Sequence, residues 1–188
     1  MARPKSNDKR NAIMDAATRV IVTQGLSAPT ATIAKEAGIS NGSLFTYFET
    51  KADLFNQLYL ELKTEMAAVI LEGFPTKAAL RKQSFHVWSS SMDWATAHPQ
   101  KRRALAQLAV SDQITPETRA AAYKAMAVLA EMMERMRAGG PLRSAPMSFV
   151  GAMMNALAET TMDFMISDPA NAKEHCKAGF ETFWRGIA

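Results

Sequence analysis

The chain has a single cysteine, Cys176, in 188 residues, so no disulfide can form within it. That fits a reducing, cytoplasmic setting. No apolar run approaches the ~18–20 residues that spanning a bilayer requires. The first residues, MARPKSNDKR, are polar and charged, with no apolar stretch behind them to make a secretory signal. Strand signals are scarce. There is no sustained period-two alternation, and Asn41-Gly42, the one hairpin-type dipeptide, is flanked by helical patterns. The inventory for catalysis is poor as well. His175 adjoins Cys176, but consecutive helical residues point ~100° apart and make no nucleophile–base pair. His86, His98 and His175 lack metal-ligand spacing, and no phosphate loop or dinucleotide fingerprint occurs. Glu159 and Asp163 share a helix face, a weak sign of catalysis by itself. No enzyme activity, metal or cofactor is therefore expected.

What is present favours helix. Alanine, leucine, methionine, glutamate and lysine dominate, and 48% of the residues are hydrophobic, enough for a substantial core. The pattern predicts an all-α protein of about nine helices. Ile13, Ala16, Ala17, Val20 and Ile21 recur at helical spacing over about 7–24, and Gly25 ends that helix. A short helix over about 29–37 starts at Pro29 and stops at Gly38. A third, about 41–48, has Ser40 as its N-cap. A fourth, about 51–72, buries Leu54, Phe55, Leu58, Leu62, Met66 and Val69. Further helices are expected over about 76–97, 100–110, 115–137, 146–167 and 170–186, punctuated by glycine and proline. The expected division is an N-terminal unit, 1–50, and a C-terminal unit, 51–188.

The stretch GISNGSLFTYFETK, residues 38–51, is unusual for a core helix. Small polar residues stand directly before three closely spaced aromatics. A helix-turn-helix needs two short helices, a tight turn and an apolar anchor. Ala34, Gly38 and Leu44 supply the close crossing, the positive-φ turn and the anchor, with Phe48 turning inward beside Leu44. Ser40, Asn41, Gly42 and Ser43 are then left outward, small enough to enter a major groove. The Tyr47 hydroxyl and Lys51 suit phosphate. Arg3, Lys5, Lys9 and Arg10 form either a solvated tail or a basic arm toward phosphates, and the net charge of +4 is compatible with a polyanion partner. From spacing alone, a simple turn over a small core remains open.

The segment TATIAKEAGISNGSLFTYFETKADLF resembles the N-terminal domain of the tetracycline-repressor (TetR) family of one-component transcriptional regulators. The family pattern is I-A-x-x-A-G-V-S-K-G-T-L-Y-x-Y-F-x-x-K-x-x-L. It is matched at Ile33-Ala34, Ala37-Gly38, Ser40, Gly42, Leu44, Tyr47-Phe48, Lys51 and Leu54. The resemblance implies a homodimer on a palindromic or near-palindromic double-stranded DNA operator, with two recognition helices in successive major grooves. The DNA-binding residues it implies are Thr30, Thr32, Ser40, Asn41, Gly42, Ser43, Phe45, Thr46, Tyr47 and Lys51. Three departures stand out. Asn41 replaces a lysine or arginine, and Phe45 replaces a tyrosine. The segment from Gly25 to Ile33 is one residue short, which leaves open whether Thr30 or Thr32 caps the second helix.

In the C-terminal half, the helix over about 146–167 carries two apolar faces. Val150, Met154, Leu157 and Met165 lie on the broad one, and Phe149, Ala152, Ala156 and Thr160 form a narrower stripe. The last helix carries Cys176, Phe180, Phe183 and Trp184. A helix apolar on more than one side must bury more than one side. Both helices either complete the monomer core or, as the resemblance implies, form a four-helix dimer interface through these two sets. Thirteen methionines, with Phe85, Trp88 and Trp94, suit an adaptable apolar pocket. The resemblance places a small-molecule effector cavity in this half, with Phe85, Trp88, Met92, Met126, Met133 and Met154 as candidate lining. His86, Asn155, Glu159 and Asp163 are candidates to orient the ligand. An effector that favours wider spacing of the recognition helices would lower operator affinity. The other readings are an all-α enzyme or ligand carrier, and a helical adaptor that binds protein.

Overall fold

Helix-forming composition and well-placed breakers produce an all-α chain. The computed structural model describes residues 4–188, with side chains from residue 7. Arg3 and the side chain of Lys5 lie outside the described residues. In order, the helices are α1 Pro4–Gln24, α2 Thr30–Glu36, α3 Asn41–Leu44, α4 Lys51–Leu71 and α5 Leu80–Ala97. There follow α6 Pro99–Ala109, α7 Pro116–Ala125, α8 Ala127–Arg137, α9 Met147–Ser167, a 3-10 turn Pro169–Asn171, and α10 Ala172–Ile187. None of the described helices is long and apolar enough to cross a membrane.

Two boundaries differ from expectation. The helix expected over about 115–137 is two helices, α7 and α8, interrupted at Met126, whose φ is −110° and ψ 19°. Nothing in the local sequence Tyr-Lys-Ala-Met-Ala-Val dictates that break. α5 begins at Leu80, not near Thr76, because the preceding residues turn and a buried glutamine gathers their carbonyls. Gln83 Nε2 donates to the carbonyls of Pro75, Thr76 and Ala78 at 3.3, 2.9 and 3.1 Å.

The chain divides into two compact units. The first unit takes in the chain through Thr64 together with Pro99–Ala122, and the second takes in Glu65–His98 and Tyr123–Ala188. α4 therefore contributes to both. α6 joins the first unit because Ala104, Leu105 and Leu108 are buried there and the helix packs on α1.

In the first unit, Ile13, Ile21, Ile33, Leu44, Phe48, Leu54, Phe55 and Leu58 form the core. Arg10, read from sequence as part of either a solvated tail or a basic arm, is engaged within the unit. Its guanidinium donates to Glu61 Oε2 at 2.9 Å and Gln57 Oε1 at 3.2 Å, and lies 5.9 Å from the Phe48 ring centroid. α1 is thereby pinned to α4. Asn56 ties α4 to the α6–α7 connection: its Nδ2 donates to the Gln113 carbonyl at 2.7 Å, and its Oδ1 accepts from the Thr115 amide at 2.9 Å. Arg119 donates to the carbonyls of Ala109 and Ser111 at 2.7 and 2.8 Å, satisfying groups at the α6 C-terminus.

In the second unit, α5 packs on α8, α9 and α10. Trp88 stacks on Phe183 at 5.6 Å and 14°, and its Nε1 donates to the Cys176 carbonyl at 3.0 Å. α10 approaches closely because Gly179 has no side chain. A Cβ there would stand 2.3 Å from Thr161 Oγ1 and 3.0 Å from Trp88 Cζ2.

Candidate functional site

The turn between α2 and α3 is set by short-range chemistry. Gly38 has φ +69°, a region that L-residues avoid and glycine enters freely. Its amide donates to the Lys35 carbonyl at 3.1 Å, and the Ile39 amide donates to the Ala34 carbonyl at 3.0 Å. This is the paired closure of a Schellman motif. Ser40 then caps α3: its Oγ accepts from the Ser43 amide at 3.1 Å. Leu44 and Phe48, at 0% and 1% exposure, anchor the element to the core, while Ala34 and Ile33 are buried beneath it. The residues form a helix-turn-helix, as the sequence predicted.

Regular α3 is shorter than the expected 41–48, ending at Leu44. Beyond it the chain continues as a turn, with the Thr46 amide on the Ser43 carbonyl and the Tyr47 amide on the Leu44 carbonyl. The Thr46 hydroxyl also donates to the Ser43 carbonyl, at 2.7 Å. Such a side-chain bond competes with helix continuation.

Ser40, Asn41, Gly42, Ser43, Phe45 and Thr46 are exposed together, and Tyr47 and Lys51 are half-buried beside them. Their hydrogen-bonding capacity is unequal. The Ser40 and Ser43 hydroxyls bond each other at 2.9 Å, and the Thr46 hydroxyl is held by its own turn. Asn41 is the exposed side chain of this set whose amide has no partner among the described residues. Lys51 lies 5.4 Å from the Phe55 ring centroid. Desolvation lowers its pKa below the ordinary lysine value, and a phosphate alongside would favour the charged form again. The question of the α2 cap has a plain answer. Pro29 occupies the cap position with no side-chain hydrogen bond, so neither Thr30 nor Thr32 caps the helix, and both are half-buried.

In the second unit, the expected dimer-face residues part company. On α9, Phe149, Ala152, Ala156 and Thr160 are all exposed, with Phe149 at 52%, and Met153 and Phe164 beside them at 48% and 56%. On α10, Cys176, Phe180 and Phe183 are buried inside the unit, and Trp184 is half-buried. Their partners are internal: Phe180 meets Phe85 at 5.0 Å, and Phe183 stacks on Trp88. Those three residues are thus buried within the unit, whereas the α9 set is exposed. Burial also pushes the Cys176 thiol up, so it is a poor nucleophile. His175 Nε2 bonds Asp168 Oδ2 at 2.9 Å.

The expected pocket residues also divide. Trp88, Met92 and Met133 are buried, Met126 and Met154 are half-buried, and Phe85 is 39% exposed. A groove of about 390 Å³ lies between α5 and α10, and only Phe85 of the expected set lines it. Sequence reasoning missed Arg81, Lys82, Lys177 and Glu181, which surround that groove. They carry no motif and are brought together only by helix packing.

Comparison with known proteins agrees with this geometry. Residues 13–58 match the family model of bacterial regulatory proteins, tetR family. The HTH-type transcriptional regulator AcrR of Shigella flexneri is 29% identical over 112 residues, 56% of this chain and 50% of that protein. The match thus spans half the length of that curated relative. A crystal structure of a tetR-family transcription regulator from Shewanella sp. PV-4 superposes with a TM-score of 0.82 at 27% identity, covering 94% of this chain and 96% of that one. The regulator LfrR from Mycobacterium smegmatis, crystallised with proflavine, shares the fold at a TM-score of 0.67 and 20% identity, over 96% and 98% of the two chains.

Proposed function

Starting from the fact that this chain belongs to the tetR family of bacterial regulatory proteins, we propose that it is a homodimeric repressor released from a palindromic operator by a small apolar or aromatic effector. The observation that carries the reading is the surface formed by residues 40–46, presented outward while Leu44 and Phe48 hold it from behind. In this role Asn41 reads a base edge, Gly42 lets the backbone approach, and Tyr47 and Lys51 hold phosphates on either side. Ser43, Phe45 and Thr46 fill the groove, and Thr30 and Thr32 on α2 approach the adjoining backbone. DNA binding belongs to residues 1–50, and effector binding and dimerisation to 51–188.

The dimer forms through α9. Phe149, Met153 and Phe164 exposed along one face of the helix, with small Ala152, Ala156 and Thr160 between them, are the pattern of a helix awaiting a helix. Proflavine, held by LfrR, is a flat aromatic, the ligand class favoured for the aromatic and methionine-rich second unit.

The test is a gel shift with the DNA upstream of the protein's own coding region, titrated with salt. A retarded dimer complex whose affinity falls steeply with salt is expected. Failure to shift any upstream fragment, with the chain folded, would favour the protein-binding adaptor instead.

A further inference from the structure

We propose that the groove between α5 and α10 is a binding site for a small aromatic carboxylate. It goes beyond operator release, because of the effector residues expected from sequence only Phe85 borders this groove, and its occupancy is measured directly.

The groove has an apolar floor. The Phe85 ring is 39% exposed into it, with Phe180 set edge-on behind at 5.0 Å and 72°. Its rim is cationic: Arg81 and Lys82 from α5 and Lys177 from α10 face a single carboxylate, Glu181. Glu181 already has its counter-ion, since Arg81 is ion-paired to it across the two helices. The Arg81 guanidinium also lies 6.0 Å from the Phe180 ring centroid. That pair links the two helices at the groove, and Lys82 and Lys177 have no ion-pair partner among the described residues.

Two ammonium groups beside an aromatic floor define the ligand by complementarity. A neutral aromatic would cover Phe85 and gain nothing from the lysines. A small inorganic anion would meet the lysines and leave the ring wet. A flat ring bearing one carboxylate satisfies both, with the ring on Phe85 and the carboxylate between the lysines. At about 390 Å³ the space falls within the ~300–1,000 Å³ typical of small-molecule sites.

The experiment is isothermal titration calorimetry of the full chain with 2-naphthoate, and with 2-naphthylmethanol as the neutral molecule of the same ring. Naphthoate should bind, and should bind more tightly than the alcohol at low salt. The double variant Lys82→Gln/Lys177→Gln should weaken naphthoate about five-fold, the scale of two screened surface charges, and leave the alcohol unaffected. Glu181→Gln should tighten naphthoate several-fold by releasing Arg81, a gain that a folding defect cannot mimic. Val110→Ser, an exposed position in the first unit, should change nothing. The proposal is overturned if naphthoate does not bind at millimolar concentration, or if acid and alcohol bind equally. It is equally overturned if the lysine and Glu181 variants leave naphthoate unchanged, or if Val110→Ser abolishes binding.

Discussion

Two glycines four residues apart should respond in opposite ways to the same substitution. Gly38 sits at φ +69° with nothing within 4 Å of the place a Cβ would take. Gly38→Ala therefore meets no clash, and its whole cost is conformational. Forcing an L-residue into the left-handed region costs ~1–2 kcal/mol, and the stiffer unfolded chain returns ~0.4–1 kcal/mol of that. The expected net loss is about 1 kcal/mol, and Gly38→Asn, which tolerates this region better, should lose less. Gly42 lies inside α3 at negative φ, and its Cβ would meet only Ser40 Oγ, at 4.0 Å. Gly42→Ala should hold or raise stability, by up to ~1 kcal/mol. Yet that open side is the one turned toward DNA in the proposed complex, so the added methyl should lower operator affinity. Urea denaturation at fixed protein concentration reads the first quantity, and fluorescence anisotropy on the operator reads the second. The reasoning fails if Gly38→Ala unfolds at the wild-type midpoint, or if Gly42→Ala is the less stable variant. It fails equally if Gly42→Ala binds operator as the wild type does.

Lys51→Ala should weaken binding to all DNA sequences alike and reduce the slope of log affinity against log salt by about one, because one phosphate contact is lost; an unchanged slope would remove Lys51 from the backbone. Asn41→Ala should instead flatten discrimination at one base position, by roughly 1–3 kcal/mol for a bidentate contact, as read by a panel of single-base operator variants. Equal losses on every sequence would show that Asn41 reads no base. The Asp168 carboxyl is held below its usual range by bonds from Asn171 and then His175. A depressed folded pKa means its stabilisation is present above the ordinary carboxylate value of ~4 and is lost as pH falls through the folded value. The melting temperature of Asp168→Ala should thus trail the wild type at neutral pH and converge with it in acid.

The helix-turn-helix was legible because its determinants are local. The Gly38 turn is closed by amides that reach back three and five residues, and the Ser40 cap reaches forward three. Leu44 and Phe48 fall on one side at helical spacing. The engagement of the polar residues was not legible. The same Ser40, Ser43 and Thr46 that look like groove-reading hydroxyls bond to one another and to their own turn. Composition shows that a hydroxyl is there, whereas only geometry shows that it is taken. Arg10 is the same case at longer range. As sequence it belongs to a basic arm, but α4 places Glu61 and Gln57 in front of it. In the proposed complex, what remains for base recognition is narrower than the motif suggests, with Asn41 at its centre.

The last two helices show why periodicity finds an apolar face but not the surface that covers it. α10 has a compact stripe, and Cys176, Phe180 and Phe183 could equally have faced a partner or the chain's own α5. The decision rests on Gly179, a residue with no hydrophobic weight. It lets α10 close on Thr161 and Trp88, so the neighbouring aromatics reach the core. With that stripe buried internally, the partner face proposed above draws on what α9 leaves outside. Phe149, Met153, Phe164 and Ile166 are the large apolar side chains it leaves. The same closure of α10 on α5 forms the groove over Phe85, where Arg81 and Lys82 meet Lys177. A single small residue therefore governs which apolar side chains of this unit are buried in its core and which stay exposed.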